Sequence, residues 1–101
     1  MEKEVRAIVI TKRFRRNTFS IYTYLLTHFS AKTAYLFLNN LQQRIELISQ
    51  NPEIGKPSLQ NQQIRSVILT PHNRIFYRLQ KNKIEILCLF DMRKNPKKKP
   101  Y

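Results

Sequence analysis

The stretch IRSVILTPHNRIFYRLQKNKIEILCLFDMR, from Ile64 to Arg93, decides the fold of this 101-residue chain. It holds three runs of β-branched and aromatic residues separated by short polar breaks, and such runs predict strands. We place the strands at Ile64–Leu69, Arg74–Gln80 and Lys83–Asp91. Two residues, Lys81-Asn82, separate the last two strands. Because asparagine tolerates the left-handed conformation of a two-residue turn, a tight hairpin is expected there.

The turns predict which residues face each other across the strands. The turn at Lys81-Asn82 gives the pairs Leu79 with Ile84, Arg78 with Glu85, Tyr77 with Ile86 and Ile75 with Cys88. A loop centred on Pro71-His72 gives Arg65 with Arg78, Val67 with Phe76 and Leu69 with Arg74. A one-residue error in this loop would turn the first strand over, because successive side chains point to opposite faces.

Alternation along the strands divides their side chains between two faces. The first face is apolar and is predicted to form the core: Ile64, Ser66, Ile68, Ile75, Tyr77, Leu79, Ile84, Ile86, Cys88 and Phe90. The second face is both apolar and basic: Arg65, Val67, Leu69, Arg74, Phe76, Arg78, Glu85, Leu87, Leu89, Asp91 and, one step beyond the strand, Arg93.

The predicted pair of Arg65 with Arg78 needs an explanation, since like charges side by side on a sheet repel each other. One interpretation is that Glu85 neutralises Arg78 while Arg65 points into solvent. The other is that Arg65, Arg78 and Arg93 together receive an anion, because guanidinium groups bind phosphate and carboxylate through paired hydrogen bonds. The apolar surroundings would equally suit a protein partner.

The composition fits one small domain with a single core. No apolar run approaches the ~18 residues of a membrane span, and the N-terminus has no secretory signal pattern, so we expect a cytoplasmic protein without membrane contact. The single cysteine, Cys88, falls on the predicted core face and suits an inert packing residue. His28 and His72 have no companion ligands nearby in the sequence, so neither a metal nor a cofactor is expected.

The charge is the strongest compositional signal. Nineteen Lys and Arg residues against six Asp and Glu give a formal charge of +13, which predicts a polyanionic partner, either nucleic acid or an acidic protein. Residues 30–53 have no net charge, whereas residues 65–101 hold ten basic and two acidic residues. The basic residues are therefore concentrated on the predicted sheet and the C-terminal tail.

The N-terminal part reads as a strand followed by a helix. Glu4–Thr11 is a short apolar run, and Arg13–His28 repeats apolar residues at helical spacing. Four basic residues cluster around the start of this helix, the unfavourable end for the helix dipole: Lys12, Arg13, Arg15 and Arg16. Two interpretations stay open for the cluster, namely contact with phosphate or a simply solvated face.

A second helix is expected to begin after Ser30, which can cap it. Its apolar stripe keeps a four-three spacing: Ala34, Leu38, Leu41, Ile45 and Ile48. The two helices must form an antiparallel hairpin because at most two residues join them. Asn51-Pro52 ends the helix, Gly55-Lys56-Pro57 makes a turn, and Ser58–Gln63 is a polar loop.

The predicted fold is therefore α+β, in the order β-α-α-β-β-β, with an antiparallel helical hairpin packed on one face of a mainly antiparallel sheet. Residues 1–91 form a single domain, and residues 92–101 form a basic tail. In this tail Pro96 and Pro100 argue against a helix, and five of the ten residues are basic. Such tails bind phosphate backbones or acidic partners, or only solubilise the chain.

Several motifs in this order carry a resemblance to a known family. They are Asn51-Pro52-Glu53-Ile54-Gly55-Lys56-Pro57, Ile64-Arg65, Arg74-Ile75-Phe76-Tyr77-Arg78, and Leu89-Phe90-Asp91-Met92-Arg93-Lys94-Asn95-Pro96. Together they resemble the RelE/ParE superfamily of bacterial toxins from type II toxin–antitoxin modules, over nearly the whole chain. The resemblance implies a small toxin neutralised by an acidic antitoxin that is encoded beside it and wraps the sheet and helices.

The superfamily contains two mechanisms. RelE-like members cut messenger RNA on the ribosome without a metal, whereas ParE-like members inhibit DNA gyrase and cleave nothing. The resemblance to RelE-like nucleases implies catalytic roles for Arg65, Arg93 and Tyr101, with His72 as the remaining candidate base. Residues expected to contact nucleic acid or the antitoxin are Arg74, Phe76, Arg78, Leu87, Leu89, Lys94, Lys97, Lys98 and Lys99.

Two departures bear on the mechanism. The lysine pair that some RelE-like members carry before the strand arginine is absent, since SLQNQQ holds no base. The ending Arg93-Lys94-Asn95-Pro96 resembles the Arg-Arg-Asp-Pro of ParE-like members. The functional prediction is thus a toxin, first a ribosome-dependent endoribonuclease that inhibits translation. The alternatives are a gyrase inhibitor or a non-toxic basic nucleic-acid-binding protein.

Overall fold

The computed structural model describes residues 6–93 and 100–101. Its elements in chain order are β1 (Ala7–Ile10), α1 (Lys12–His28), α2 (Ala31–Gln50), β2 (Lys56–Pro57), β3 (Ile64–Thr70), β4 (Asn73–Leu79) and β5 (Lys83–Asp91). The strands form one sheet in the order β1-β5-β4-β3-β2. β1 runs parallel to β5, and the other neighbours are antiparallel. The α+β prediction is confirmed, while β2 occupies a segment that the sequence predicted only as a turn.

Both helices begin at side-chain caps. The Thr11 hydroxyl accepts a hydrogen bond from the Phe14 N–H at 3.1 Å, and Ser30 caps α2 through the Thr33 N–H at 3.0 Å. The Thr11 hydroxyl also donates to the carbonyl oxygens of Ile86 and Leu87 at 3.0 and 2.8 Å, which ties the start of α1 to β5. No helix in the described part of the chain has the length and apolar character needed to cross a bilayer.

The main core lies between the helices and one face of the sheet. Four residues come from the helices and seven from the strands: Phe14, Phe37, Leu41, Ile48, Val67, Leu69, Ile75, Tyr77, Ile84, Ile86 and Leu89. The predicted stripe of α2 is correct except at Leu38, which is 36% exposed, while its neighbour Phe37 is buried. Burial of these apolar side chains holds the helical hairpin on the sheet.

A bulge interrupts the β4–β5 pairing. The predicted pairs are confirmed from Leu79–Ile84 to Tyr77–Ile86, but Phe76 then pairs with Cys88. Leu87 is therefore the extra residue, and Ile75 pairs with Leu89 rather than with Cys88 as predicted. The bulge shifts the outer half of the hairpin by one residue.

A second bulge shifts β3 against β4. Thr70 pairs with Asn73 across the predicted Pro71-His72 loop, but the next pair is Ile68 with Arg74, so Leu69 is the extra residue. The Thr70 hydroxyl fixes this turn by accepting from the His72 and Asn73 N–H groups at 3.1 and 3.0 Å. The predicted pairs of Arg65 with Arg78, Val67 with Phe76 and Leu69 with Arg74 are therefore wrong by one residue.

Because of the two bulges, several strand side chains lie on the opposite face of the sheet from the one predicted. Val67 and Leu69 belong to the helix-side core together with Ile75 and Tyr77, and Leu89 is buried there too. Ile64, Phe76 and Cys88 form a separate cluster with Leu87. The predicted single apolar core face is thus split, and Leu89 is not available on the surface where it was predicted to contact a partner.

Candidate functional site

The sheet face away from the helices, here called the far face, carries its own apolar cluster. Its buried members are Ile64, Phe76, Leu87 and Cys88, and Phe90 and Tyr101 pack against them. The Phe76 ring centroid lies 5.8 Å from that of Tyr101 and 6.3 Å from that of Phe90. Tyr101 therefore packs against the central strand on the far face.

A cleft of about 400 Å³ lies on the β2 side of this aromatic group. Its walls are residues 56–60, the first three residues of β3, Arg74 and Phe76 of β4, and Tyr101. The cations among the described lining residues are Lys56 and Arg74, together with Arg65, whose guanidinium bonds to the α2–β2 loop instead of facing the cleft. The described lining residues have no Asp, Glu or His side chain. Cations beside aromatic rings suit an anionic ligand with a planar group.

Arg74 is the best-placed cation of the cleft. Its Nη1 donates to the Ser66 hydroxyl at 2.9 Å. Its Nε is buried and has no hydrogen-bond partner among the described residues. A guanidinium has five N–H donors, so Arg74 retains donor capacity beside the cleft. Ser66 is the buried polar residue of this face, with 8% of its surface exposed.

Arg65 is engaged in holding the loop after α2. Its Nη1 donates to the carbonyl oxygens of Glu53 and Gly55 at 3.1 and 2.9 Å, and its backbone pairs with Pro57 and Tyr77. The guanidinium therefore clamps the α2–β2 connection from the helix side. The catalytic role predicted for Arg65 stays a prediction, and the structure gives the residue a structural contact of its own.

Tyr77 completes this clamp from the centre of the core. Its hydroxyl accepts from the Gly55 N–H at 3.0 Å and donates to the Pro52 carbonyl oxygen at 2.6 Å. Burial raises the pKa of Tyr77, against the lowering effects of the Gly55 hydrogen bond and the positive charge of Arg65. The phenol is thus a buried structural hydrogen-bonding group.

Arg93 and His72 lie at the opposite end of the sheet. The Arg93 backbone N–H and Nε donate to Asp91 Oδ1 at 2.9 and 3.2 Å, and its Nη2 donates to Oδ2 at 3.2 Å. Hydrogen bonding to Asp91 raises the pKa of Arg93. Both Arg93 and His72 line an apolar hollow of about 810 Å³ between the helices and the β3–β4 turn.

The predicted anion site does not assemble from Arg65, Arg78 and Arg93. Arg65 pairs with Tyr77 of β4, and Tyr77 pairs with Ile86 of β5. Asp91, two residues before Arg93, lies five residues further along β5 than Ile86, which is on the order of 16 Å at a strand's rise per residue. The first interpretation, in which Glu85 neutralises Arg78, is closer to the structure for Arg78, which forms an ion pair with Glu85 at 3.4 Å.

The remaining predicted site residues lie in different places. Arg74, Phe76 and Tyr101 meet at the cleft, and Leu87 lies within the far-face cluster, 6% exposed. Lys94, Lys97, Lys98 and Lys99 fall outside the described residues. The sequence does not indicate Lys56 and Ser66 as site residues, because it predicts a turn at Lys56 and a core position for Ser66. The Pro57–Arg65 strand pairing that brings Lys56 to the cleft has no local sequence signal.

Cys88 is not a reactive group in this site. It is buried on the far face, 1% exposed, and burial raises the pKa of its thiol to about 11 against the lowering effect of Arg13. The described residues contain no cluster of three or more His, Cys, Asp or Glu side chains that could hold a metal ion.

Comparisons with known proteins give one family and one fold. A family model described as the ParE toxin of type II toxin–antitoxin system, parDE, matches residues 8–96. The chromosomal ParDE system from P. aeruginosa aligns with a TM-score of 0.75 at 16% identity, covering 88% of this chain and 98% of that one. No curated protein matches the sequence.

Two further solved structures share the fold. The E. coli DinJ-YafQ toxin-antitoxin complex aligns with a TM-score of 0.63 at 12% identity, covering 89% of this chain and 96% of that one. The YoeB dimer from Staphylococcus aureus aligns with a TM-score of 0.56 at 18% identity, covering 83% of this chain and 93% of that one. At these identities the structural matches indicate the fold alone.

Proposed function

The chain belongs to the ParE family of toxins of type II toxin–antitoxin systems, and from this premise we propose that it inhibits DNA gyrase by binding and does not cut messenger RNA. The observation that carries the proposal is the ParE family match over residues 8–96, which includes both described helices, strands β2 to β5 and all of β1 except Ala7. The Arg93-Lys94-Asn95-Pro96 ending, which resembles that of ParE-like members, points the same way.

The dispersal of the predicted catalytic residues supports this choice. Cleavage by attack of a ribose hydroxyl needs a proton acceptor, a proton donor and positive charge at one phosphate. Arg65 holds the α2–β2 loop, Arg93 and His72 lie at the other end of the sheet, and Tyr101 packs on Phe76. The described walls of the cleft offer cations but no Asp, Glu or His side chain to accept a proton.

An acidic antitoxin is the proposed partner. Two of the structural relatives are described as a ParDE system and a DinJ-YafQ toxin-antitoxin complex. A net charge of +13 calls for an acidic partner. The far face combines apolar side chains with Arg74 and Arg78, so it suits a segment that alternates apolar and acidic residues.

A RelE-like, ribosome-dependent endoribonuclease is the second candidate. The far-face cleft favours it, because Arg74 could bind a phosphate while the Tyr101 and Phe76 rings stack on a base. In that case the translating ribosome and its message would be the partners instead of gyrase.

Two assays on the purified protein separate the candidates. In the first, gyrase supercoils relaxed plasmid with increasing amounts of toxin; we expect inhibition, with linear DNA accumulating from trapped cleavage complexes. In the second, ribosomes carrying a defined message are incubated with toxin, and we expect the message to stay full length. Adding the acidic protein encoded next to the toxin gene should reverse the first effect.

The Arg74→Gln and Tyr101→Ala variants serve as the control for the second candidate. Message cleavage by the wild type that disappears in both variants, with gyrase unaffected, would replace the gyrase proposal by the nuclease. Absence of both activities and of toxicity would leave the non-toxic nucleic-acid-binding alternative.

A further inference from the structure

The outer surface of α1 carries four cations that the proposed function does not use. Lys12, Arg13, Arg15 and Arg16 are all exposed, and Phe14 between them is buried, 3% exposed. At about 100° per residue of helix, the four side chains span roughly 160° of the surface, centred opposite Phe14. We call this surface the basic arc.

The basic arc has no compensating charge in the described structure. The 17 residues of α1 include neither Asp nor Glu, and no salt bridge joins the arc to another described residue. Lys12 lies three and four residues before Arg15 and Arg16, and like charges at these spacings destabilise a helix. A polyanion bound across the arc would relieve this repulsion.

The shape of the surface distinguishes between two kinds of polyanion. A protein partner gains its affinity from buried apolar anchors within the contact. Arg15 borders an apolar hollow of about 420 Å³ that also contains Phe19 and Tyr22, but the other three cations do not line it and surround the solvent-facing side of the helix. A phosphate backbone needs no apolar anchor, because it binds through charge and the release of counterions.

We propose that the basic arc binds the phosphate backbone of a double-stranded nucleic acid. The cations are mostly arginines, whose planar forks match phosphate oxygens. Contacts of this kind position a protein on a duplex without reading its sequence. The surface is separate from the far-face cleft, so the inference does not depend on how the toxin inhibits growth.

The test measures the salt dependence of duplex binding by the full chain. Dissociation constants are measured by fluorescence anisotropy for a 30-base-pair DNA and a 30-base-pair RNA duplex between 50 and 300 mM KCl. The first variant changes Lys12, Arg13, Arg15 and Arg16 to Gln. Since each phosphate contact contributes about 0.9 to the slope of log K against log salt concentration, the slope should fall by about 3 to 4.

A matched variant removes the same charge elsewhere. Lys32, Arg44, Lys81 and Lys83 are changed to Gln, which lowers the net charge equally but leaves the arc intact. Its slope should change by less than about 1. A third variant, with the three arginines of the arc changed to Lys, should keep the slope, because point charges suffice for counterion release. Thermal unfolding followed by circular dichroism checks that each variant is folded.

The proposal is judged by how much the salt slope of each variant falls below that of the wild type. If the fall in the arc variant exceeds the fall in the matched variant by at least about 2, the proposal is supported, and the duplex that binds more tightly identifies the nucleic acid. A smaller difference overturns it, because overall charge then accounts for binding. Binding of a poly-glutamate peptide is measured in parallel. If the arc variant loses this binding while its duplex slope stays unchanged, the proposal is also overturned, and the arc is assigned to an acidic protein.

Discussion

Gly55 gives the sharpest prediction about what holds the molecule together. The chain's single glycine has no positive φ, so it is not required by the backbone conformation. It is required by space, because a Cβ there would lie 2.9 Å from both Arg65 Cβ and Tyr77 Cε1 and would overlap the Tyr77 hydroxyl. Neither side chain can move easily, since Tyr77 is 0% exposed and both are bonded to the same loop.

The Gly55→Ala change should lower the free energy of unfolding by about 3 kcal/mol. Overpacking costs about 1 to 3 kcal/mol, and displacement of the Tyr77 hydroxyl from the Pro52 carbonyl oxygen costs about 1 kcal/mol more. The entropy lost by the unfolded chain returns about 0.5 kcal/mol. Tyr77→Phe alone should cost about 2 kcal/mol, because it leaves the Gly55 N–H and the Pro52 carbonyl oxygen without their partner.

A double-mutant cycle tests the contact itself. In the Tyr77→Phe background the overlap with the hydroxyl is gone, so the two changes together should cost at least about 1 kcal/mol less than their sum. Urea unfolding followed by circular dichroism measures all three variants, and Gln42→Ala on the exposed side of α2 serves as a neutral control within about 0.5 kcal/mol. Costs that add within about 0.3 kcal/mol would refute the proposed contact between Gly55 and the Tyr77 hydroxyl.

Three further predictions follow from single contacts. Asn17→Ala should cost about 1 to 3 kcal/mol of stability in urea unfolding, since Asn17 Oδ1 accepts from the Leu89 N–H at 3.1 Å; Asn17→Asp, which keeps an acceptor, should recover most of the loss, and equal losses would contradict this role. Glu85→Gln should cost less than about 1 kcal/mol in the same assay, because its 3.4 Å ion pair with Arg78 is partly exposed. The pKa of Cys88 is raised from 9.0 to about 11 in the folded state, so folding favours the protonated thiol. The contribution of this thiol to the free energy of unfolding is complete below the unfolded pKa and is lost as the pH rises to about 11. Stability measured over this range should decline less in Cys88→Ala than in the wild type, and a thiol reagent at pH 8 should modify native Cys88 at least 100-fold more slowly than the urea-unfolded chain; rapid native labelling would contradict the burial.

The sequence was sufficient for both helices and for β1, β3, β4 and β5, but not for β2 or for the exact pairing. The bounds of the helices and of β3, β4 and β5 were predicted to within one residue, because periodicity and the Ser30 cap are local signals, whereas β1 begins at Ala7 and not at Glu4. The two bulges have no such signal. In the run IRSVILT both alternating sets contain apolar residues, so the pattern accepts either face, and the Thr70 turn decides between them.

The site was predicted less well for the same reason. A one-residue shift moves Arg65 from a surface shared with Arg74 and Arg78 to the clamp under the α2–β2 loop. The aromatic contact between Phe76 and Tyr101 joins residues far apart in the sequence, and periodicity does not predict such a contact. The residue types therefore indicate a basic, partner-binding domain. Which positions converge on the cleft can be predicted only when the pairing register of the strands is known.

The parallel pairing of β1 with β5 has a consequence for how the protein is made. Ala7 pairs with Lys83, and the Thr11 hydroxyl bonds to a carbonyl 75 residues further along. A nascent chain must therefore be elongated through its last strand before its first strand has a neighbour, and such high contact order slows folding. Until β5 is made, the start of α1 lacks the strand to which the Thr11 hydroxyl bonds, so the sheet beneath α1 is completed only by the last strand of the described chain.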